Sequence, residues 1–198
     1  MRTRTVSSLF LLLSLLSPLA ARATETFEID TGHSHIGFGV RHMAVSTVRG
    51  SFPEFSGSAQ VDLENLKNSS VEVTIAAASV DTSHEGRDKD LRDEAFFDVE
   101  NHPEITFRST AVERRGEKLV VVGDLTIKGV TKSVRMPVEI AGPIEDPWGN
   151  TRLGVSGTLT IDRTDFGLNY NRLLEAGGLV VGKDVTIEID IELMRGAG

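Results

Sequence analysis

Residues 184–194 read DVTIEIDIELM, and every second residue is apolar. Val185, Ile187, Ile189, Ile191 and Leu193 fall on one side of an extended chain. Asp184, Thr186, Glu188, Asp190 and Glu192 fall on the other. A helix, with its period of 3.6, would scatter these aliphatic side chains around its circumference. The segment is a strand with one wet face and one buried face. The same alternation recurs along the chain. Leu119, Val121, Gly123, Leu125 and Ile127 oppose Lys118, Asp124 and Lys128; Val134, Met136, Val138 and Ile140 oppose Ser133, Arg135 and Glu139. Leu153, Val155, Gly157, Leu159 and Ile161 oppose Arg152, Thr158, Thr160 and Asp162. Val71, Val73, Ile75 and Ala77 oppose Glu72 and Thr74, while Ile105, Phe107 and Ala111 oppose Glu104, Thr106 and Arg108. Two earlier strands cover roughly 36–45 and 50–63.

Turn residues separate the runs: Arg115-Gly116, Lys128-Gly129, Asp146–Asn150 and Gly177-Gly178. The total is about eight strands, mostly in hairpin succession. The longest interruption is 81–102. Its middle, 85–97, predicts a helix that Pro103 stops. A shorter irregular segment, 169–178, predicts one further turn.

Strands that each have one dry face must pack as a sandwich or curl into a closed sheet. Hairpin succession favours closure, which also removes exposed sheet edges. The expected fold is all-β, an eight-stranded antiparallel barrel with one short helical excursion. A barrel of that size can hold one small ligand. Small residues at inward positions, among them Gly57, Ala59, Ala77, Ala111, Gly123 and Gly157, carry two readings. They relieve crowding where strands bend, or they leave an internal cavity. An outer-membrane barrel would turn its apolar residues outward between aromatic girdles. One Trp, one Tyr and charge on one face of every strand favour a soluble barrel instead.

The first segment has a different character. Arg2 and Arg4 precede an apolar run from about Val6 to Leu16, and Ala21-Arg22-Ala23 follows as an A-x-A cleavage signal. This is the tripartite pattern of a secretory signal peptide over residues 1–23, and the run is too short for a membrane span. Cleavage leaves one domain, 24–198, with room for a real core. Losing three arginines leaves 18 Lys and Arg against 29 acids, a net charge of −11. Such a surface disfavours nucleic acid. The chain has no cysteine. An exported chain without disulfides suits a bacterial periplasm.

HSHIGFGVRH, residues 33–42, holds three of the five histidines and raises the question of a metal site. In a strand His33 and His35 share one face and His42 takes the other, so no metal site is expected. His33 and His35 read as hydrogen-bonding residues near a barrel rim. His42 joins Ile36, Phe38 and Val40 on the apolar face, and Arg163 likewise follows Leu159 and Ile161. Each is either paired structurally or clamps a polar head group at the barrel mouth. Phe96-Phe97 follows the helix among Arg87, Asp88, Asp90, Arg92 and Asp93. The pair either plugs the barrel end, with the charges forming surface ion pairs, or belongs to a mobile lid. Ser79 and Ser109 are small hydrogen-bonding fillers or lumen contacts. No nucleophile motif is present: residues 154–157 fail the G-x-S-x-G spacing, and His84-Glu85 lacks a second histidine.

Six segments in order resemble the YceI-like, polyisoprenoid-binding family: DTGHSHIGFGVRHM (30–43), GSFPEFSG (50–57), GRDKDLRDEAFFDVENHPEITFRS (86–109), GDLTIKGVTKSV (123–134), IDRTDFGLN (161–169) and VGKDVTIEIDIEL (181–193). One departure is Asp90, where the family commonly has His. The resemblance implies a lipocalin-like barrel that binds a long isoprenoid or similar lipid in its lumen, periplasmic export, often a homodimer, and no cofactor-dependent chemistry. The expectation is therefore a lipid carrier or store for a quinone or polyprenyl chain, not an enzyme. A fatty-acid or amide-binding stress module is the alternative. Phe38, Phe107 and Phe166 are expected to line or close the lumen. Ala77 is expected to leave space in it, Phe96 and Phe97 to cover its end, and His42 and Arg163 to meet the head group.

Overall fold

The structure, a computed structural model, describes residues 24–170 and 179–196. The expected signal segment and most of the irregular turn at 169–178 lie outside them. Ten strand segments form one antiparallel sheet: β1 (Glu25–Ile29), β2 (His35–His42), β3 (Ser46–Ser51), β4 (Phe55–Val61), β5 (Ser70–Ala76), β6 (Glu104–Arg115), β7 (Lys118–Ile127), β8 (Val130–Glu145), β9 (Thr151–Asp162) and β10 (Val181–Arg195). β1 and β2 lie end to end along β10, and β3 and β4 lie end to end beside them. They make two long, interrupted staves. With β5 to β10 the barrel has eight staves and closes through β1 and β10.

The two interruptions have local causes. In the first, the Asp30 carboxylate accepts from the Gly32 N–H, and the Ser34 hydroxyl donates to the Asp30 carbonyl while accepting from the Glu192 N–H. This side-chain turn competes with the ladder. In the second, Pro53 has no N–H to give a neighbouring strand. Phe52 turns inward there, its N–H bonded to the Ile36 carbonyl at 3.0 Å.

The helix is shorter than the sequence predicts. α1 spans Glu85–Arg92, N-capped by His84, whose ring nitrogen accepts from the Arg87 N–H. The chain then folds back: the Phe97 N–H reaches the Leu91 carbonyl and the Val99 N–H reaches the Arg92 carbonyl. These bonds satisfy the last helical carbonyls and aim Phe97 at the barrel. Among the described residues, the surface ion pairs of the plug reading do not form around α1. Arg92 instead donates to the carbonyls of Ala78 and Val80, and Arg87 to the hydroxyl and carbonyl of Thr82. Burial works to raise the pKa of Asp88, but the Thr82 hydroxyl and N–H overbalance it and hold the carboxyl below its usual value. The helix is thus riveted to the main chain that leaves β5.

Candidate functional site

A cavity of about 280 Å3 runs through the barrel. Its wall reaches from Leu91, Phe96 and Phe97 beneath α1 to Leu66, Ser69 and Ser70 at the opposite end. Apolar side chains form nearly all of it. Among the described residues its only charged side chain is Arg163. A cavity so lined offers water few partners and accommodates hydrocarbon.

The inward alternation of the strands builds this wall. Val121 and Leu125, Val134 and Met136, Val155 and Leu159, and Ile187 and Ile189 all face it, as period two requires. Phe38, Phe107 and Phe166 line it, as do Phe96 and Phe97. Phe38, Phe52 and Phe97 form a chain of rings with centroids 5.6 and 5.7 Å apart. Phe96 packs on Tyr170 at 4.8 Å.

Two expected site residues lie elsewhere. β5 ends at Ala76, and Ala77 starts a 3-10 turn, Ala77–Ser79, where it is 1% exposed within the core and off the cavity wall. His42, on the predicted side of β2, sits two pairs beyond Val40 at the strand end and is also off the wall. Ala111 is exposed, because a bulge between Ser109 and Ala111 reverses the parity of β6 and puts Val112 on the wall. Of the other small inward residues, Ala59 lines the cavity. Gly123 makes room for a neighbour: a Cβ there would lie 2.5 Å from the Phe107 ring and 2.6 Å from the Arg108 carbonyl. Ser79 and Ser109 act as hydrogen-bonding fillers, accepting from the N–H groups of Glu54 and Val71.

Arg163 is 4% exposed at the start of the 3-10 turn Arg163–Phe166. Its guanidinium donates to the main-chain carbonyls of Gly182, Leu168 and Val181. Burial pushes its pKa down and Asp162 offsets part of that shift. The side chain therefore ties the post-β9 turn to the start of β10 while forming part of the cavity wall.

The three opening histidines do not converge. Among the described residues one cluster, Asp30, His33 and Glu192, brings potential ligand atoms within 4.8 Å. The cation between its carboxylates is Arg152, which bonds Asp30, Glu192 and Asp146. Asp146 also accepts from the N–H groups of Trp148 and Asn150 and from the Asn150 amide. Burial acts to raise the pKa of Asp146; the Asn150 amide and the Arg152 guanidinium more than reverse it and hold the carboxyl far below the usual range. His33 and Arg152 similarly lower Asp30.

Phe52, Leu91 and Val112 are wall residues that the strand pattern does not assign. Leu91 had a readable signal, since it is the only large apolar residue in EGRDKDLR.

Comparison with known proteins matches residues 27–193 to the YceI-like domain family. A UPF0312 protein of Photorhabdus laumondii is 44% identical over 156 residues, covering 79% of this chain and 80% of that protein. A UPF0312 protein of Pectobacterium carotovorum is 40% identical over 169 residues, 85% and 88% of the two chains. The crystal structure of Burkholderia cenocepacia BcnA superposes with a TM-score of 0.73 at 25% identity, over 83% of this chain and 98% of that one. A polyisoprenoid binding domain from Saccharophagus degradans, implicated in plant cell wall breakdown, shares the fold with a TM-score of 0.63 at 18% identity, over 88% and 100%. The chain belongs to the YceI-like family.

Proposed function

We propose that this protein binds the long apolar chain of an isoprenoid lipid, a quinone or polyprenyl tail, in the barrel lumen and carries or stores it in the periplasm. The observation that carries the reading is the 280 Å3 cavity with its almost wholly apolar wall. Filling that volume with hydrocarbon contributes about 7 kcal/mol, at roughly 24 cal/mol per Å3 of cavity. Each buried methylene adds about 0.8 kcal/mol of transfer free energy. Such binding requires no nucleophile. The Saccharophagus domain of the same fold is a polyisoprenoid binding domain, in agreement with this ligand class. A binding titration of the delipidated protein tests it. A polyprenyl alcohol should bind more tightly than a straight fatty acid of equal carbon number; the reverse order would favour the fatty-acid alternative.

Phe38, Phe96, Phe97, Phe107 and Phe166 are proposed to contact the chain, and Arg163 to meet a polar acceptor at its end. Truncating Arg163→Ala leaves three carbonyls without their donor, at a cost of about 3 kcal/mol in stability. In the variant still folded by circular dichroism, lipids with acceptor head groups should lose more affinity than plain hydrocarbons. Equal losses for both would make Arg163 a structural residue only.

Export is proposed on the N-terminal pattern. Intact mass of the periplasmic protein should correspond to a chain beginning at Thr24. A retained leader, or protein found only in the cytoplasm, would count against it.

A further inference from the structure

The β8–β9 hairpin presents its largest apolar side chains to solvent. Trp148 at its tip is 78% exposed and Ile144 is 62% exposed. Ile140, lower on the same hairpin, is 37% exposed and also lines the cavity. The hairpin therefore connects the outer surface with the mouth of the lumen at the end opposite α1. Its tip is rigidly formed: the buried Asp146 carboxylate accepts from the N–H groups of Trp148 and Asn150, and Arg152 braces it from below. At the same end of the barrel, the β6–β7 hairpin end carries Arg114, Arg115 and Lys118 against Glu113 and Glu117, with Arg115 and the neighbouring Arg135 paired to Glu113, a small local excess of positive charge on an otherwise acidic chain.

We propose that this end of the barrel docks on a lipid bilayer containing anionic phospholipid, with Trp148 and Ile144 entering the headgroup region and the β6–β7 turn facing phosphate. The purpose of docking rests on the lumen-lipid reading above; its geometry does not. An indole at the water–hydrocarbon boundary, flanked by basic side chains, is a common way for proteins to hold a bilayer surface. Glu139 and Glu145 on the hairpin oppose an anionic surface, so apolar insertion supplies the attraction and the basic turn sets the orientation. A second copy of the chain fits less well. A stable dimer buries about 800 Å2 per partner, whereas an exposed Trp and Ile on a narrow hairpin supply a fraction of that, at about 150–250 Å2 for the largest side chain. Among the described residues no helix is long and apolar enough to cross a membrane.

Trp148 is the only tryptophan in the chain and reports its own surroundings. The full-length protein is mixed with vesicles of phosphatidylethanolamine containing one third phosphatidylglycerol, with and without brominated acyl chains. The expected result is a blue-shifted emission that brominated lipid quenches. Ile144→Ser and the pair Arg114→Glu with Lys118→Glu should each weaken vesicle affinity about tenfold. The local quenching separates the hairpin from any binding by the N-terminal segment. Emission that neither shifts nor is quenched overturns the proposal, as does unchanged affinity in Ile144→Ser. A blue shift that grows with protein concentration without vesicles overturns it in favour of a second copy. Lipid uptake by the lumen, measured separately in detergent, decides the lumen reading whichever way the docking test falls.

Discussion

Val155→Trp is expected to reduce uptake of a long apolar chain about 50-fold while leaving the barrel folded. Val155 lies in β9, opposite Ile140 of β8 and Ile191 of β10, and faces the cavity toward the end opposite α1. It is only partly buried and lines the cavity, so an indole there extends into the lumen volume. The added ring occupies space otherwise filled by about three methylenes, and at about 0.8 kcal/mol each their loss gives the stated factor. Ala77 would be the wrong place for such a plug: it is 1% exposed within the core, and a large side chain there would unfold the turn rather than fill the lumen. Binding titrations of both chains, with circular dichroism as the folding control, check the result. Wild-type uptake by a folded Val155→Trp protein would put the ligand outside the barrel.

The second large effect concerns stability. Arg152→Ala should lower the melting temperature at pH 7 by about 5–10 °C, because it strands three carboxylates at one point of the barrel wall. The deficit should shrink in acid. Asp30 and Asp146 both titrate below their ordinary value of 3.8 in the folded protein. Their contribution is therefore complete above that value and is lost as pH falls through the lower folded values. In Arg152→Ala the same carboxylates lack the cation that lowers them and take up protons at higher pH, which relieves their repulsion. In thermal melts of both proteins from pH 7 down to pH 3 the gap should narrow below about pH 4. A deficit of constant size across that range would mean that Arg152 acts through packing alone.

The strand alternation made most of the fold legible, because burial on one face of a sheet leaves a direct imprint on the sequence. Val155, Leu159, Ile187 and Ile189 face the lumen as period two places them. The pattern fails where the backbone leaves the regular pleat. One bulged residue near Ser109 exchanges Ala111 for Val112, and the early end of β5 turns Ala77 into a core residue. Phe52 enters the lumen from a break at Pro53, between two strands that read as one. The hydrogen-bond partners of the charged residues were not legible for a different reason. Arg152 lies on the wet face of β9 by parity, but its partner Asp30 is 122 residues away and Glu192 is 40 away. Arg163 shows a cation at an apolar position, whereas the three carbonyls that receive it depend on how the ends of β9 and β10 meet.

The central claim is that the lumen holds an isoprenoid chain. Organic extraction of the protein purified from its native host, followed by mass spectrometry, tests it most directly. The account predicts a polyisoprenoid lipid in about equimolar amount with the protein, and strongly depleted in a parallel preparation of Val155→Trp. Straight-chain fatty acid in that amount, or equal isoprenoid in both preparations, would contradict it.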